Sequence, residues 1–378
     1  MFTKDDTDFM RLAIAAAQKS LYLSNPNPRV GCVIVKAGKV IGTGFTQQVG
    51  CAHAEIEALA DARKHSADLS GITIYVSLEP CCHQGRTPPC TQAIIAAKPA
   101  RVVIAMQDPN PLVGGNGIQQ LIAAGIQVEC GLLEEEAVAL NPGFISRMTR
   151  QLPWVRLKVA ASLDGKTALP NGQSQWITGA AAREDGHRWR AQACAILTGV
   201  GTVKEDDPSL TVRAVDTLRQ PKRIIIDSKL DIPLTAAVLK PFPSQSASIK
   251  DGGAMVVCGA ITSDAQLAKQ AQLQAQGVEV ISMPNAAGKV DLPALMRYLA
   301  TECGMNEIHV EAGYKLNGSL LREGCVDELL VYLAPTLLGS GLGIANLPEL
   351  TSLAQRTDWK RIDLSVFEPD IRLRFVQQ

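Results

Sequence analysis

The triplet His53-Ala54-Glu55, taken with Pro80-Cys81 and the later Cys90, constrains this chain more than any other feature. One imidazole and two thiolates can hold a single zinc ion tetrahedrally. Three protein ligands leave the fourth position to water, the pattern of a catalytic rather than a structural site. Such a metal brings water towards a neutral pKa, and a carboxylate two residues from the histidine can carry the proton without ligating the ion. Three separate segments must therefore converge on one point. Local signals place each ligand at the mouth of a helix. His53 opens an amphipathic run reaching Lys64, Cys81 closes a strand over residues 72–78, and Cys90 opens a helix over 91–97. Helix N-termini favour thiolate over thiol, so placement and chemistry agree. A structural zinc would need a fourth ligand, for which Cys51, Cys82 and His83 are available, but it would leave Glu55 without a role.

Around this centre the first half alternates strand and helix, which predicts a sheet flanked by helices. Helix is expected over residues 8–22, 115–124 and, as one piece, 134–150. Strands are expected over 30–36 and 40–45 as a hairpin, then 101–106 and 126–130. At 378 residues the chain is too long for one ordinary core. The pattern changes near Pro153, which predicts two domains, 1–148 and 149–378. Lysine plus arginine and aspartate plus glutamate balance at 37 each, and aromatics are 4% of the chain. Neither a basic field nor a set of stacking platforms is present for a polynucleotide, which argues against an RNA-editing enzyme. The N-terminal stretch lacks the apolar core of a signal peptide, and no apolar run approaches the ~20 residues of a membrane span. Ten cysteines without an export signal fit thiols or metal ligands in a reducing compartment. The expectation is a cytoplasmic protein with neither membrane nor nucleic-acid partners.

His-x-Glu with a later Pro-Cys and Cys is the arrangement of the zinc nucleoside and nucleobase deaminases. The Cys-x8-Cys spacing, with Gly85-Arg86-Thr87-Pro88-Pro89 between, narrows the match. Together with Asn25-Pro26-Asn27-Pro28-Arg29-Val30-Gly31 and Asp108-Pro109-Asn110-Pro111, the first half resembles the deaminase domain of the bifunctional pyrimidine deaminase–reductases of riboflavin biosynthesis. That resemblance implies zinc on His53, Cys81 and Cys90, with Glu55 as proton shuttle. It also implies a pyrimidine and ribose-phosphate pocket lined by Asn27, His83, Arg86, Asp108 and Asn110. One departure stands out: members usually carry histidine just after the second strand, where this chain has Thr46.

The second half resembles the reductase domain of the same family through Ala161-Ser162-Leu163-Asp164-Gly165-Lys166, Ser174-Gln175-Trp176-Ile177-Thr178, residues 201–213 and Val310-Glu311-Ala312-Gly313. Ala312 replaces a usual glycine. The whole chain is thus expected to be α/β, a cytidine-deaminase-like α/β/α domain followed by a dihydrofolate-reductase-like α/β domain. The resemblance implies NADPH contacts from Ala160, Trp176, Thr202, Asp206, Ser228, Gly313, Tyr314, Lys315, Leu316, Asn317, Gly318 and Ser319. Asp206 could also serve in proton supply. Substrate contacts would come from Ser174, Arg190, Leu210, Arg213 and Glu311, and the assembly would be a homo-oligomer acting on a small phosphorylated pyrimidine. Residue chemistry supports part of this: two arginines and a serine suit a phosphate monoester, and a turn leading into a helix at 313–319 suits a pyrophosphate. Gly199-Val200-Gly201-Thr202 is an incomplete phosphate-loop pattern that reads equally as a tight bend.

Overall fold

The computed structural model describes residues 2–85, 87–111, 113–242 and 252–377. The chain falls into two units, Met1–Gln151 and Leu152–Gln378. In the first, α1 (Lys4–Ala17) precedes the hairpin β1 (Gly31–Lys36) and β2 (Lys39–Phe45), and α2 (Ala54–His65) follows it. Next come β3 (Thr73–Val76), α3 (Cys90–Ala97), β4 (Arg101–Ile104), α4 (Asn116–Ala123) and β5 (Gln127–Cys130), then α5 (Glu134–Leu140) and α6 (Pro142–Arg150). The sheet runs β2-β1-β3-β4-β5. Its hairpin is antiparallel and β3 to β5 are parallel.

Close packing on this hairpin positions the triplet. Side chains alternate along a strand, and Gly31 pairs with Phe45 while Gly42 and Gly44 pair with Ile34 and Cys32. Gly31 therefore faces one side of the sheet, and Gly42 with Gly44 the other. A Cβ on Gly31 would lie 1.9 Å from the Ala13 carbonyl oxygen. On Gly42 and Gly44 it would lie 2.4 and 2.2 Å from those of Ala58 and Ala54. Helices α1 and α2 thus lie against bare strand backbone on opposite faces, giving three layers. The start of α2 can sit only where it does.

A single helix over residues 134–150 is not what forms. Asn141 leaves helical geometry at φ −127° and ψ 39°, and Pro142 begins a new helix, a position where its missing N–H costs nothing. The break has a use. Asn141 Oδ1 accepts from the Arg29 N–H at 2.7 Å, and its Nδ2 donates to the Arg29 carbonyl at 2.9 Å, fixing the end of the Asn25–Arg29 turn.

The second unit contains β6 (Trp154–Ser162), β7 (Lys166–Ala168), α7 (Ala180–Gln192), β8 (Ala195–Gly199), α8 (Val200–Asp206), β9 (Lys222–Ile226), β10 (Ala254–Cys258) and α9 (Asp264–Ala275). It continues with β11 (Glu279–Ser282), α10 (Leu292–Thr301), β12 (Glu307–Val310), α11 (Tyr314–Arg322), β13 (Glu328–Ala334), β14 (Leu342–Gly343), β15 (Trp359–Phe367) and β16 (Asp370–Gln377). Nine strands make one sheet in the order β11-β10-β9-β8-β12-β6-β13-β16-β15. Its inner strands are parallel, so β8, β9 and β12 all end at the same edge.

One face of this sheet buries a charge cluster on β6, β12 and β13 beside its apolar side chains. Arg156, 2% exposed, pairs with Glu307 at 3.4 Å and Glu328 at 3.0 Å, and Arg374 pairs with Glu328 at 2.7 Å. Burial alone would raise the Glu328 carboxyl, but the two guanidiniums hold it down at about 2, against an ordinary 4.5. A depressed folded pKa stabilises fully above the unfolded value and is lost as pH falls towards the folded one. Glu328 should therefore withdraw on the order of 3 kcal/mol between about pH 4.5 and about pH 2. Urea midpoints measured across that window should fall less steeply for Glu328→Gln than for the natural chain. Identical slopes would show that this carboxylate does not govern acid stability.

Candidate functional site

His53 is the N-cap of α2 in extended conformation (φ −79°, ψ 167°) and its side chain caps nothing, so the ring is left to point at the cysteines. Its Nδ1 lies 3.6 Å from Cys81 Sγ and 3.4 Å from Cys90 Sγ. Zinc–sulfur and zinc–nitrogen bonds of about 2.3 and 2.0 Å give tetrahedral edges of about 3.5–3.8 Å, which these distances approach. The other ring nitrogen, Nε2, is 3.4 Å from Thr87 Oγ1, a partner that can fix the ring's orientation. Among the described residues His53, Cys81 and Cys90 form a candidate metal cluster that Cys51, Cys82 and His83 do not join. The thiols fit a cation as well. A hydrogen bond between the two thiols holds that of Cys81 down and, with burial, drives that of Cys90 up. Both can be thiolates together only with positive charge between them.

Glu55 lies one residue into α2 and is 4% exposed. Burial, and then the neighbouring Cys81 charge, push its carboxyl up to about 7, with His53 acting against them. It opens on a cavity of about 190 Å³ that Asn27, His83, Asp108 and Asn110 line, with Val113 and Phe144 as apolar wall. Asp108 accepts from the Asn110 N–H at 2.8 Å, and burial raises its carboxyl to about 6. Thr46 lines the same cavity with its hydroxyl turned to backbone, accepting from Val30 N–H at 3.2 Å and donating to Val30 O at 3.4 Å. Arg86 lies outside the described residues.

In the second unit, the implied cofactor contacts gather at the shared strand edge. Thr202 is on α8 and Gly313 caps α11; a Cβ on Gly313 would lie 3.6 Å from Thr202 Oγ1, and one on Gly199 3.2 Å from Leu316. Ser228 lies in the turn after β9, with its hydroxyl accepting from Val290 N–H at 3.2 Å. Gln175 donates to Asp206 at 3.0 Å and so holds the loop of Ser174 and the 71% exposed Trp176 to the end of α8. The Arg183 guanidinium stacks 4.6 Å from the Trp176 ring. Lys315 and Ser319 lie on the first turns of α11, joined by a 3.3 Å bond from the Ser319 hydroxyl to the Lys315 carbonyl. Tyr314, Asn317 and Gly318 are directed elsewhere. The Tyr314 hydroxyl donates to Asn346 at 3.1 Å, Asn317 Nδ2 donates to Ile344 O at 2.9 Å, and a Cβ on Gly318 would lie 2.1 Å from Asn346 O.

The residues expected at the substrate form a second cluster. Arg190 grips both Glu311 oxygens through Nε and Nη2 and donates to Thr211 O at 3.1 Å through Nη1. Three of the five Arg190 N–H groups are so engaged, leaving one on each terminal nitrogen, while Arg213 is exposed. Leu210 is buried at φ +48°, a strained region for a bulky residue, and so fixes the 209–213 turn. Ala160 shares its strand face with Lys158, opposite Tyr332 of β13.

Residues 3–106 match the cytidine and deoxycytidylate deaminase zinc-binding region, and residues 153–373 match the RibD C-terminal domain. The chain is 43% identical to the riboflavin biosynthesis protein RibD of Escherichia coli, across 98% of its own length and 99% of that protein's. It belongs to the RibD family. Acinetobacter baumannii RibD has the same architecture, with TM-score 0.87, 40% identity and 99% of both chains covered. So does a Thermotoga maritima protein described as a diaminohydroxyphosphoribosylaminopyrimidine deaminase/5-amino-6-(5-phosphoribosylamino)uracil reductase, with TM-score 0.84, 32% identity and 99% of both chains covered. As a RibD-family member, the chain is a bifunctional enzyme of riboflavin biosynthesis, with a zinc-binding deaminase half and an NADPH-dependent, dihydrofolate-reductase-like half. Among the described residues no helix is long and apolar enough to cross a membrane.

Two residues of these RibD sites escaped the sequence reading. Thr87 was visible only as part of the Cys81–Cys90 insert, and nothing in the sequence directs its hydroxyl to His53. Lys158, half-buried on β6, titrates below an ordinary lysine because of burial, with Glu311 acting against that and Arg190 adding to it. A lysine two residues before Ala160 on a buried strand was the available signal.

Proposed function

We propose that the first unit hydrolytically deaminates 2,5-diamino-6-(5-phosphoribosylamino)pyrimidin-4-one and that the second reduces the resulting uracil's ribosyl side chain to a ribityl chain. The observation that carries the first step is the convergence of His53, Cys81 and Cys90 beside a buried Glu55 at the floor of one cavity. A zinc ion held by those three ligands would supply the Lewis acidity that makes water nucleophilic near neutral pH. Glu55, with a carboxyl near 7, can take the proton that water gives up and return it to the departing amine, so that ammonia leaves and a carbonyl remains. Asn27, Asp108 and Asn110 would orient the pyrimidine, and the apolar wall of Val113 and Phe144 would keep bulk water out.

For the second step, NADPH along the α8 and α11 N-termini would supply hydride to C1 of the sugar. Breaking the ring C–O bond requires a proton on the ring oxygen. Lys158, held below an ordinary lysine by burial and influenced by Glu311 and Arg190, would give it, with Asp206 positioning the Gln175–Trp176 loop. Exposed Arg213 would meet the phosphate. A homo-oligomeric assembly and a cytoplasmic location belong to the same proposal, and the sedimentation mass of the full chain tests the first.

The deciding experiment supplies the diamino pyrimidine to the zinc-loaded chain without NADPH. Ammonia should be released stoichiometrically and product should stop at the uracil. NADPH added afterwards should be oxidised one for one. No ammonia from a sample holding one zinc per chain would refute the deaminase assignment.

A further inference from the structure

Glu79 is 3% exposed and sits two residues before Cys81, at the end of the segment that continues β3. Its carboxylate accepts four backbone N–H groups. Oε2 takes those of Asp108 at 3.1 Å and Gly115 at 2.9 Å, and Oε1 those of Gly117 at 2.9 Å and Ile118 at 3.1 Å. The last two belong to the open first turn of α4. That helix has Gly115 at its N-cap, in left-handed conformation and with no side chain to cap with. Glu79 therefore caps α4 from another element, where a negative charge is favoured. The same carboxylate grips both ends of the loop from 108 to 118. That loop brings Asp108, Asn110 and Val113 to the cavity, and Glu79 lines the cavity too. Contact is so close that a Cβ on Gly117 would lie 2.3 Å from the Pro80 carbonyl oxygen and 3.1 Å from Glu79 Oε1.

We propose that Glu79 is a positioning residue for the deaminase, locking the substrate-binding loop to the strand end that carries the Cys81 ligand. Metal ligand and pyrimidine contacts then share one anchor, and neither can move without the other. A carboxylate is needed because only two acceptor oxygens can receive two N–H pairs. The amide of glutamine would turn an NH₂ towards one pair in either orientation.

The test uses the full chain and rests on the deaminase reading above, which ammonia release by the natural chain checks separately. Glu79→Gln should raise KM for the diamino pyrimidine about 10- to 100-fold with a smaller fall in kcat, since misplaced binding groups cost at that scale. One zinc per chain should remain, and NADPH oxidation with the uracil substrate should be unchanged. Glu79→Asp, a methylene shorter, should lie between. Independently of any substrate, amide exchange at Asp108, Gly115, Gly117 and Ile118 should accelerate in Glu79→Gln while β4 amides stay protected. Should that variant fail to fold, Gly117→Ala keeps the carboxylate but pushes α4 away, and should give the same KM rise. Natural KM in Glu79→Gln, zinc lost in step with activity, or unchanged exchange at the four amides would each overturn the proposal.

Discussion

Glu55→Gln is expected to slow ammonia release about 100- to 10,000-fold, the range lost when a positioned acid–base group is removed. Zinc should stay at one per chain, because the His53, Cys81 and Cys90 ligand atoms do not include Glu55. The substitution preserves volume and can still hydrogen bond, so little change in folding is expected at a buried site. What it removes is the ability to hold a proton between water and amine. The carboxyl's rise to about 7 makes it a stronger base than an ordinary glutamate and still an acid near neutrality, which a two-way shuttle needs. Reduction of the separately supplied uracil should continue at the natural rate, because the NADPH-binding elements lie in the other unit. Metal analysis, ammonia release and NADPH oxidation on one preparation decide the matter. If both activities fall together, the two sites are not independent. If ammonia release survives, the shuttle is another group.

Two ligands of the zinc triad were legible at element boundaries that their own neighbours announce, His53 before a helix and Cys90 opening one; Cys81, expected at the close of a strand and the mouth of a helix, lies in the irregular segment after β3, which ends at Val76. The triad's supporting groups were not legible, since Asn141, Thr87 and Glu79 work through backbone or side chains far away in sequence. Asn141 shows the limit well. Pro142 disfavours helical backbone at Asn141, but the apolar period of residues 134–150 runs on across it, and the 112-residue contact to Arg29 that uses the break has no local signal. Helix α10, by contrast, carries its own local signals. Asp291 caps it by accepting from Ala294 N–H, Pro293 sits in its first turn, and Leu292, Leu295, Met296 and Leu299 share a buried face. In strand β15 the apolar residues Ile362, Leu364 and Val366 do alternate with Asp363 and Ser365, but they are the exposed set.

In the reductase half, the contrast between Arg190 as a phosphate ligand and Arg190 as a partner for Glu311 carries the larger energetic consequence. Glu311 would be raised by burial, yet Arg190 holds it well below the ordinary carboxylate range, with His309 Nε2 3.4 Å away adding to this. The two partners are only 16% and 15% exposed, so water screens them little. Arg190→Ala leaves that carboxylate without its main counter-charge and should destabilise the second unit by about 3–5 kcal/mol. Arg190→Lys keeps the charge but loses the two-pronged grip, and should cost less. Most informative is the pair Arg190→Ala with Glu311→Gln. Removing the stranded charge should restore much of the stability that Arg190→Ala alone takes away. All four tryptophans, Trp154, Trp176, Trp189 and Trp359, lie in the second unit, so urea unfolding followed by tryptophan fluorescence reports that unit alone. A double variant no more stable than Arg190→Ala would mean that Arg190 stabilises through Thr211 and not through Glu311. An Arg190→Ala midpoint equal to the natural one would return Arg190 to the role of a phosphate ligand.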